Sequence, residues 1–444
     1  MSEHVFHRST RLRLPTAAGG RGIELITSDG RRFLDACGGA AVSCLGHGHP
    51  AVLEAIARQA SAMAYAHTSF FTNAPAEELA EVLALSAPGD LKRVYFVDNG
   101  STAVETALKM ARQYHIERGQ PGRTRVIARR QSYHGNTLGA LAASGNAGRR
   151  APYEPFLFRV SHIEPCFEYR YAKPRQSAED YGRQAAEALE AEILEQGPES
   201  VVAFIAETVV GATAGAVPPA PGYLRRIREI CDRYGVLLIL DEVMCGAGRT
   251  GSFLACEQDG VVPDLVTLAK GLAGGYQPIG AVVCSQRIYE AFASGSGAFI
   301  HGHTYGAHAV ACAAALSVQR VIREEGLLPR VTEAGHHLRA RLAERFARHP
   351  SIGDVRGRGL LLALEFVKDR ETREPFAPDR KLHNRVKAAA FDRGLLVYPG
   401  GGTIDGHRGD HILLAPPYNV TNTELDVIVD RLAQAVNVAI AEVQ

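Results

Sequence analysis

The feature that most limits how this chain can fold is a set of short apolar runs in which apolar and polar residues do not alternate. Val201–Ala206 reads Val-Val-Ala-Phe-Ile-Ala and Val236–Leu240 reads Val-Leu-Leu-Ile-Leu. Val94–Val97, Arg125–Ala128, Leu265–Ala269 and Ala281–Cys284 have the same character. A strand with one wet face alternates, whereas a strand buried on both faces does not. Helical patterns lie between the runs. Ser101–Arg118 puts Ala103, Ala107, Leu108 and Ala111 on one face, with Thr102-x-x-Glu105 as a capping box. Tyr223–Tyr234 is closed by Gly235 and leads at once into the next run. Strands separated by helices predict an α/β fold with a mostly parallel sheet sandwiched by helices.

The ends of the chain read differently. Gly22–Leu34 has the form of a hairpin around Ser28-Asp29-Gly30. Beyond Glu325, two long helical patterns interleave with the short strands Leu360–Phe366 and Ile412–Leu414. We therefore expect a large α/β domain over 60–324 and a small α+β domain built from 1–59 and 325–444. Pro174–Ala191 is polar and reads as a surface excursion.

Charge and cysteine content narrow the setting. Lys plus Arg (49) and Asp plus Glu (48) nearly cancel, so no field favours nucleic acid or an anionic membrane, and neither is expected as a partner. Eight cysteines without a C-x-x-C pair read as buried thiols in a reducing compartment. Met1–Pro15 has no apolar secretory core, and no apolar run is long enough to span a bilayer. A cytoplasmic location is expected.

Open α/β sheets bind ligands beyond the carboxyl ends of their strands. The run ending at Val97 enters Asp98-Asn99-Gly100-Ser101-Thr102 and then a helix. Free N–H groups and the helix dipole make that a phosphate cradle, although an ordinary N-cap turn accounts for the same residues. Val236–Leu240 ends in Asp241-Glu242. A carboxylate there calls for a cation: a protonated ring nitrogen, a metal or an arginine. Leu265–Ala269 ends in Lys270, before the glycine-rich Gly271–Gly275. Desolvation there would free the amine for Schiff-base chemistry; a structural lysine is the lesser alternative. Tyr133-His134-Gly135 offers an aromatic plate, although taken alone a buried structural Tyr–His pair is the plainer reading, and Thr304, within His301–Gly306, offers a second phosphate donor. His301 and His303 lack an acidic neighbour in sequence, so no metal is expected. In chain order these are a phosphate loop, an aromatic, an acid, a lysine and a second phosphate ligand. That order suits pyridoxal 5'-phosphate (PLP), which needs an amine, an acid at the pyridine nitrogen and a dianion cradle. The segment Gly246-Ala247-Gly248-Arg249-Thr250-Gly251 also matches G-x-G-x-x-G, the dinucleotide fingerprint. Two acids precede it and no helical pattern follows, so a nicotinamide-dependent dehydrogenase is a remote alternative.

From Gly46-His47-Gly48-His49-Pro50 to Ala415-Pro416-Pro417, the sequence resembles the class III (ω, or subgroup II) aminotransferases of PLP fold type I. The densest matches are Asn99–Arg112, Tyr133–Thr137, Asp241–Gly251, Ala269–Leu272 and Thr304–Leu316. The resemblance implies that Lys270 holds the cofactor and moves the proton, while Asp241 keeps the ring nitrogen protonated. It implies that Val243 and Tyr133 cover the two ring faces, and that Gly100 and Ser101 form the phosphate loop, with Thr102, His134 and Glu207 also at the cofactor. It implies that Thr304 reaches a neighbouring subunit's phosphate, making a homodimer the smallest active unit, with a tetramer left open. Thr208 stands where the family's Glu-Pro-x-x-Gly has Pro, His303 where many relatives carry Phe, and Thr102 where many carry Glu.

Other departures concern substrate. Ornithine and 4-aminobutyrate aminotransferases pair a second Glu with an Arg; those positions are Ala212 and Leu413 here. Their Gln after the ring-covering valine is Met244. The amine:pyruvate type binds its keto acid through a loop arginine, for which Arg408 in Gly400–Gly409 is the candidate. Phe71 and Ala212 complete the expected substrate-contacting set. The implied activity is ping-pong transfer of an amino group from an amine or ω-amino acid to a 2-oxo acid, pyruvate ahead of 2-oxoglutarate. Racemase, decarboxylase or phospho-lyase chemistry on the same scaffold is the alternative, and a non-catalytic PLP-fold binding protein a further one.

Overall fold

The computed structural model describes residues 4–443. Its central sheet has seven strands: β1 (Leu91–Val97), β2 (Arg125–Arg129), β3 (Val160–Ile163), β4 (Val201–Glu207), β5 (Leu237–Asp241), β6 (Leu265–Leu268) and β7 (Gly280–Ser285). Their spatial order is β1-β7-β6-β5-β4-β2-β3. Strand β7 is antiparallel to β1 and to β6, and every other neighbouring pair is parallel. Every residue of β4, β5, β6 and β7 is buried. Within a strand, successive side chains serve opposite cores: Phe204, Leu238 and Leu240 pack on one face, Ala203, Ile205 and Ile239 on the other. That two-sided demand explains why the runs lack polar alternation.

Three helices bear on the site and its support. Helix α1 (Gly100–Glu117) follows β1, α2 (Ala178–Gln196) packs on α3 (Tyr223–Tyr234), and α3 ends at Gly235 in the left-handed region (φ 63°). Helix α2 corrects the reading of Pro174–Ala191 as a surface excursion. Its Tyr181, Ala186, Leu189 and Ile193 are buried, an inner stripe among many charged residues. Strand β3 was not anticipated; its Val-Ser-His-Ile is short, at the sheet edge, and half-buried at its centre. The expected capping box on α1 is also corrected. Asn99 is the cap and accepts from the Thr102 N–H at 3.0 Å. Glu105 instead accepts from Thr137 Oγ1 (2.7 Å) and the Ala140 N–H (3.2 Å).

The two ends of the chain meet. The antiparallel strands 17–21, 24–27 and 32–35 form a sheet to which Leu395–Leu396 adds in parallel. A second sheet, all antiparallel, joins 352–358, 361–366, 410–414 and 398–401. One apolar core unites Ile23, Leu45 and Val52 with Leu338, Leu364, Ile412 and Leu432. All eight cysteines are free and buried. Among the described residues, no helix is long and apolar enough to cross a membrane.

Candidate active site

The carboxyl ends of β1, β4, β5 and β6 open into one cavity of about 470 Å³. Gly100, Ser101, Tyr133, His134, Glu207, Ala212, Asp241, Val243 and Lys270 all line it. Most of the sequence-derived residues therefore converge, although they span 171 positions of the chain from Gly100 to Lys270.

Asp241 ends β5 and is 4% exposed. Its Oδ1 accepts from the Val243 N–H (3.0 Å) and Thr267 Oγ1 (3.2 Å), and its Oδ2 lies 2.8 Å from His134 Nδ1. A carboxylate can only accept, so His134 carries its proton on Nδ1. Glu207, at the end of β4, accepts from the Tyr133 N–H (3.0 Å) and the Gly211 N–H (2.8 Å). Burial raises its pKa, against the lowering effect of His134 and these N–H groups.

Lys270 follows β6 with φ 48°, in the left-handed region that costs a non-glycine residue about 1–3 kcal/mol. Its carbonyl accepts from the Gly274 N–H at 3.0 Å, closing the turn. Burial pulls the ammonium below the ordinary lysine value, although Asp241 and Glu207 act in the other direction. The amine is thereby more readily neutral, as a nucleophile must be.

The N-terminus of α1 is open by construction. A Cβ on Gly100 would lie 2.7 Å from Val243 Cγ1. Gly135 has φ 140°, and a Cβ there would lie 2.5 Å from Ser101 Oγ. Ser101 Oγ accepts from the Asn136 N–H at 3.1 Å. These contacts bring backbone close to the helix end, where N–H groups and the dipole favour an anion. The cavity thus holds an anion cradle, a lone lysine and a buried carboxylate, the set PLP requires.

Four expected residues lie away from the cavity. Thr102 is buried within α1. Thr304 is exposed, its carbonyl accepting from Tyr65 Oη at 3.0 Å, and Phe71 is 67% exposed. Arg408 is exposed, with Nε 2.7 Å from Asp405 Oδ2. Asp98, the first residue of the phosphate-cradle run, lines the cavity too. Conversely, Val42, Gln277 and Pro278 line it from outside every motif. The 277–278 segment comes soon after the glycine-rich Gly271–Gly275; Val42, from the N-terminal region, gave no sequence signal.

The G-x-G-x-x-G segment is structural. Arg249 is buried, donates to the carbonyls of Leu360 and Pro416, and has its Cζ 4.7 Å from the Tyr418 ring centroid. Glu242 accepts from the N–H groups of Ala255 (2.5 Å) and Cys256 (2.8 Å), and burial raises its pKa to about 7. No α-helix opens at these glycines; only the short 3-10 turn Ala255–Asp259 follows. Dinucleotide binding in the usual manner has no place here.

Comparison with known proteins agrees with this geometry. A sequence model described as aminotransferase class-III matches residues 7–436. An uncharacterized aminotransferase of Schizosaccharomyces pombe is 46% identical over 99% of this chain and 96% of its own length. The diaminobutyrate–2-oxoglutarate transaminase of Halomonas elongata is 38% identical over 98% of this chain and 94% of its own. The crystal structure of the ω-transaminase from Pseudomonas jessenii in complex with PMP superposes with a TM-score of 0.93 at 31% identity, covering 100% of this chain and 97% of that one.

Proposed function

The chain belongs to the class-III aminotransferases, which use pyridoxal 5'-phosphate, and from that premise we propose that it moves an amino group from an amine or ω-amino acid to a 2-oxo acid, with pyruvate preferred over 2-oxoglutarate, by ping-pong transfer. The observation that carries this reading is the convergence of Lys270, Asp241 and the N-terminus of α1 on one cavity.

When bound, PLP supplies a carbonyl that carries the amino group between donor and acceptor, and a ring that takes up the electron pair left by proton loss. Asp241 would hold a proton at the ring nitrogen, and its three hydrogen-bond contacts fix its orientation. Lys270 Nζ would hold the cofactor and, as a neutral amine once released, would take up and return the proton moved in amino transfer. Val243 and Tyr133, both in the lining, would confine the ring, and Glu207 positions Tyr133 through its backbone N–H. Gly100 and Ser101 receive the phosphate. His134 orients Asp241, and Thr102, behind the cradle, supports the helix end. Thr304 is assigned to the partner subunit's phosphate, which its exposure away from its own cavity supports. The working unit is then a homodimer. The same reading keeps 60–324 as the cofactor-binding domain, 1–59 with 325–444 as the small domain, and the cytoplasm as the location.

Substrate choice follows from the charges available. Lys270 is the only lysine or arginine lining the cavity, and Ala212 and Leu413 remove the Glu–Arg pair of the ornithine type. A substrate carboxylate therefore draws its cation from outside the lining. Arg408 is assigned that role from its loop, since its exposed pair with Asp405 holds it by at most about 1 kcal/mol. Phe71, exposed in the single chain, is assigned to the substrate entrance. The test is a screen of amines, ω-amino acids, ornithine and diaminobutyrate against pyruvate and 2-oxoglutarate. Amine with pyruvate should be fastest, and Arg408→Ala should raise the KM for the keto acid relative to that for a simple amine. Preference for diaminobutyrate with 2-oxoglutarate, as in the name of the Halomonas relative, would overturn the acceptor assignment. Racemisation, decarboxylation or phosphate elimination without amino transfer would overturn the reaction.

A further inference from the structure

Two adjacent arginines end the short helix Ala147–Arg150, and the fold uses them differently. Arg150 is committed: its guanidinium donates to the carbonyls of Leu141, Ala142 and Ser144 and pairs with Glu154 at 3.1 Å. Arg149 is exposed and, among the described residues, makes no ion pair. What it meets is the Tyr133 ring, whose centroid lies 4.9 Å from its Cζ. Tyr133 lines the cavity, so this charge rests against the cavity's lining. After burial, which raises the Tyr133 pKa, Arg149 is the largest influence lowering it.

The backbone beneath Arg149 is fixed. Asn146 Oδ1 accepts from the Arg149 N–H at 3.2 Å, and Asn146 Nδ2 donates to Gln131 Oε1 at 3.2 Å. Gln131 Nε2 in turn donates to the Gly402 carbonyl at 2.6 Å. A Cβ on Gly406 would lie 3.3 Å from the Ala147 nitrogen, so the loop that carries Arg408 packs on this same helix. Arg149 is therefore held in place between the end of β2 and the 402–409 loop. Arg408 on that loop is bound by Asp405 through Nε and its own N–H.

The lining of the cavity makes such a cation useful. Asp98, Glu207 and Asp241 put three carboxyl groups in the lining that Lys270 shares, a setting that opposes entry of another carboxylate. A guanidinium resting on an aromatic ring gains cation–π attraction while its N–H edge stays free for a bidentate carboxylate. We propose that Arg149 receives the carboxylate of the 2-oxo acid at the cavity mouth and is a specificity-determining residue of the amino transfer. The proposal rests on the aminotransferase reading. It differs from the role given to Arg408 in that no ion pair has to break first.

The experiment is a calorimetric titration of the holoenzyme with propanoate, a carboxylate with no carbonyl to react, in wild type, Arg149→Ala, Arg149→Lys and Arg408→Ala. A charge-assisted contact of ordinary strength predicts about tenfold or greater weakening in Arg149→Ala and partial recovery in Arg149→Lys. In turnover, the KM for pyruvate should rise by about the same factor relative to the KM for isopropylamine, which has no carboxylate. Unchanged propanoate affinity in Arg149→Ala, affinity lost only in Arg408→Ala, or no propanoate binding to wild type would overturn the proposal. A wild type that binds propanoate but transfers no amino group would overturn the aminotransferase reading instead, with the titration still deciding whether Arg149 holds a carboxylate.

Discussion

Replacing Asp241 by Asn removes one charge and forces one proton to move. Donation from the Val243 N–H and Thr267 Oγ1 keeps the amide oxygen on the Oδ1 side, so the new NH2 group faces His134 Nδ1, now 2.8 Å from Oδ2. His134 can no longer donate there; Nδ1 must accept and its proton must shift to Nε2. His134 Nε2 is buried and has no hydrogen-bond partner among the described residues. An orphaned buried donor costs about 1–3 kcal/mol. At roughly 2.1 cal/mol/K per residue, the 444-residue chain has an unfolding entropy of about 0.9 kcal/mol/K, so the melting temperature of the cofactor-free protein should fall by only about 1–3 °C. Catalysis should suffer more. Loss of a preorganised electrostatic partner of this kind costs about 2.7–4 kcal/mol in the barrier, or roughly 100- to 1000-fold in turnover. The assays are calorimetry on the cofactor-free variant and turnover of the loaded one with an amine and pyruvate. Near-normal turnover of Asp241→Asn would refute the role given to this carboxylate and leave it a structural residue.

The assembly and the acid limit can be tested in the same way. If Thr304 serves the partner subunit's phosphate, Thr304→Ala should weaken PLP retention, and dilution should release cofactor and activity together; a fully active monomer by sedimentation would contradict it. His411 is fully buried, with Nδ1 2.7 Å from Thr403 Oγ1, and burial lowers its pKa to about 3. Because the folded value lies below the ordinary 6.5, its contribution is present above pH 6.5 and is lost as pH falls towards 3. Between pH 6.5 and 4 this amounts to about 3 kcal/mol, and His162, lowered to about 4, adds in the same direction. Urea midpoints should fall across that window in wild type and fall less steeply in His411→Asn; parallel curves would contradict the assignment.

The parts of the site legible in the sequence are those attached to strand ends. Asp241 closes an unbroken apolar run and Lys270 one interrupted only by Thr267, and the carboxyl end of such a strand is the ligand side of the sheet. Gly100 was legible for a related reason, since a glycine at a strand-to-helix turn marks close approach, here against Val243. Contacts that depend on tertiary placement were not legible. Val42 arrives at the cavity from the N-terminal region, and the pairing of Tyr133 with Arg149 joins residues whose spacing follows no helix or strand period. The cap of α1 was read one turn too far along: Thr102-x-x-Glu105 fits a capping pattern, but Asn99 had the earlier claim and Glu105 serves the next helix. Helix α2 was hidden by its own surface, because charged residues outnumber the inner stripe of Tyr181, Ala186, Leu189 and Ile193. Thr304, Phe71 and Arg408 lie on exposed segments whose positions a neighbouring subunit or substrate would decide.

The central claim is that Lys270 carries the cofactor, and covalent trapping tests it most directly. The chain has seven lysines: Lys92, Lys109, Lys173, Lys270, Lys368, Lys381 and Lys387. Of these, only Lys270 lines the cavity. Borohydride reduction of the PLP-loaded protein, followed by peptide mass mapping, should place the pyridoxyl group on Lys270, and Lys270→Ala should abolish the modification. A pyridoxyl group on another lysine, or none on a protein saturated with PLP, would contradict the account.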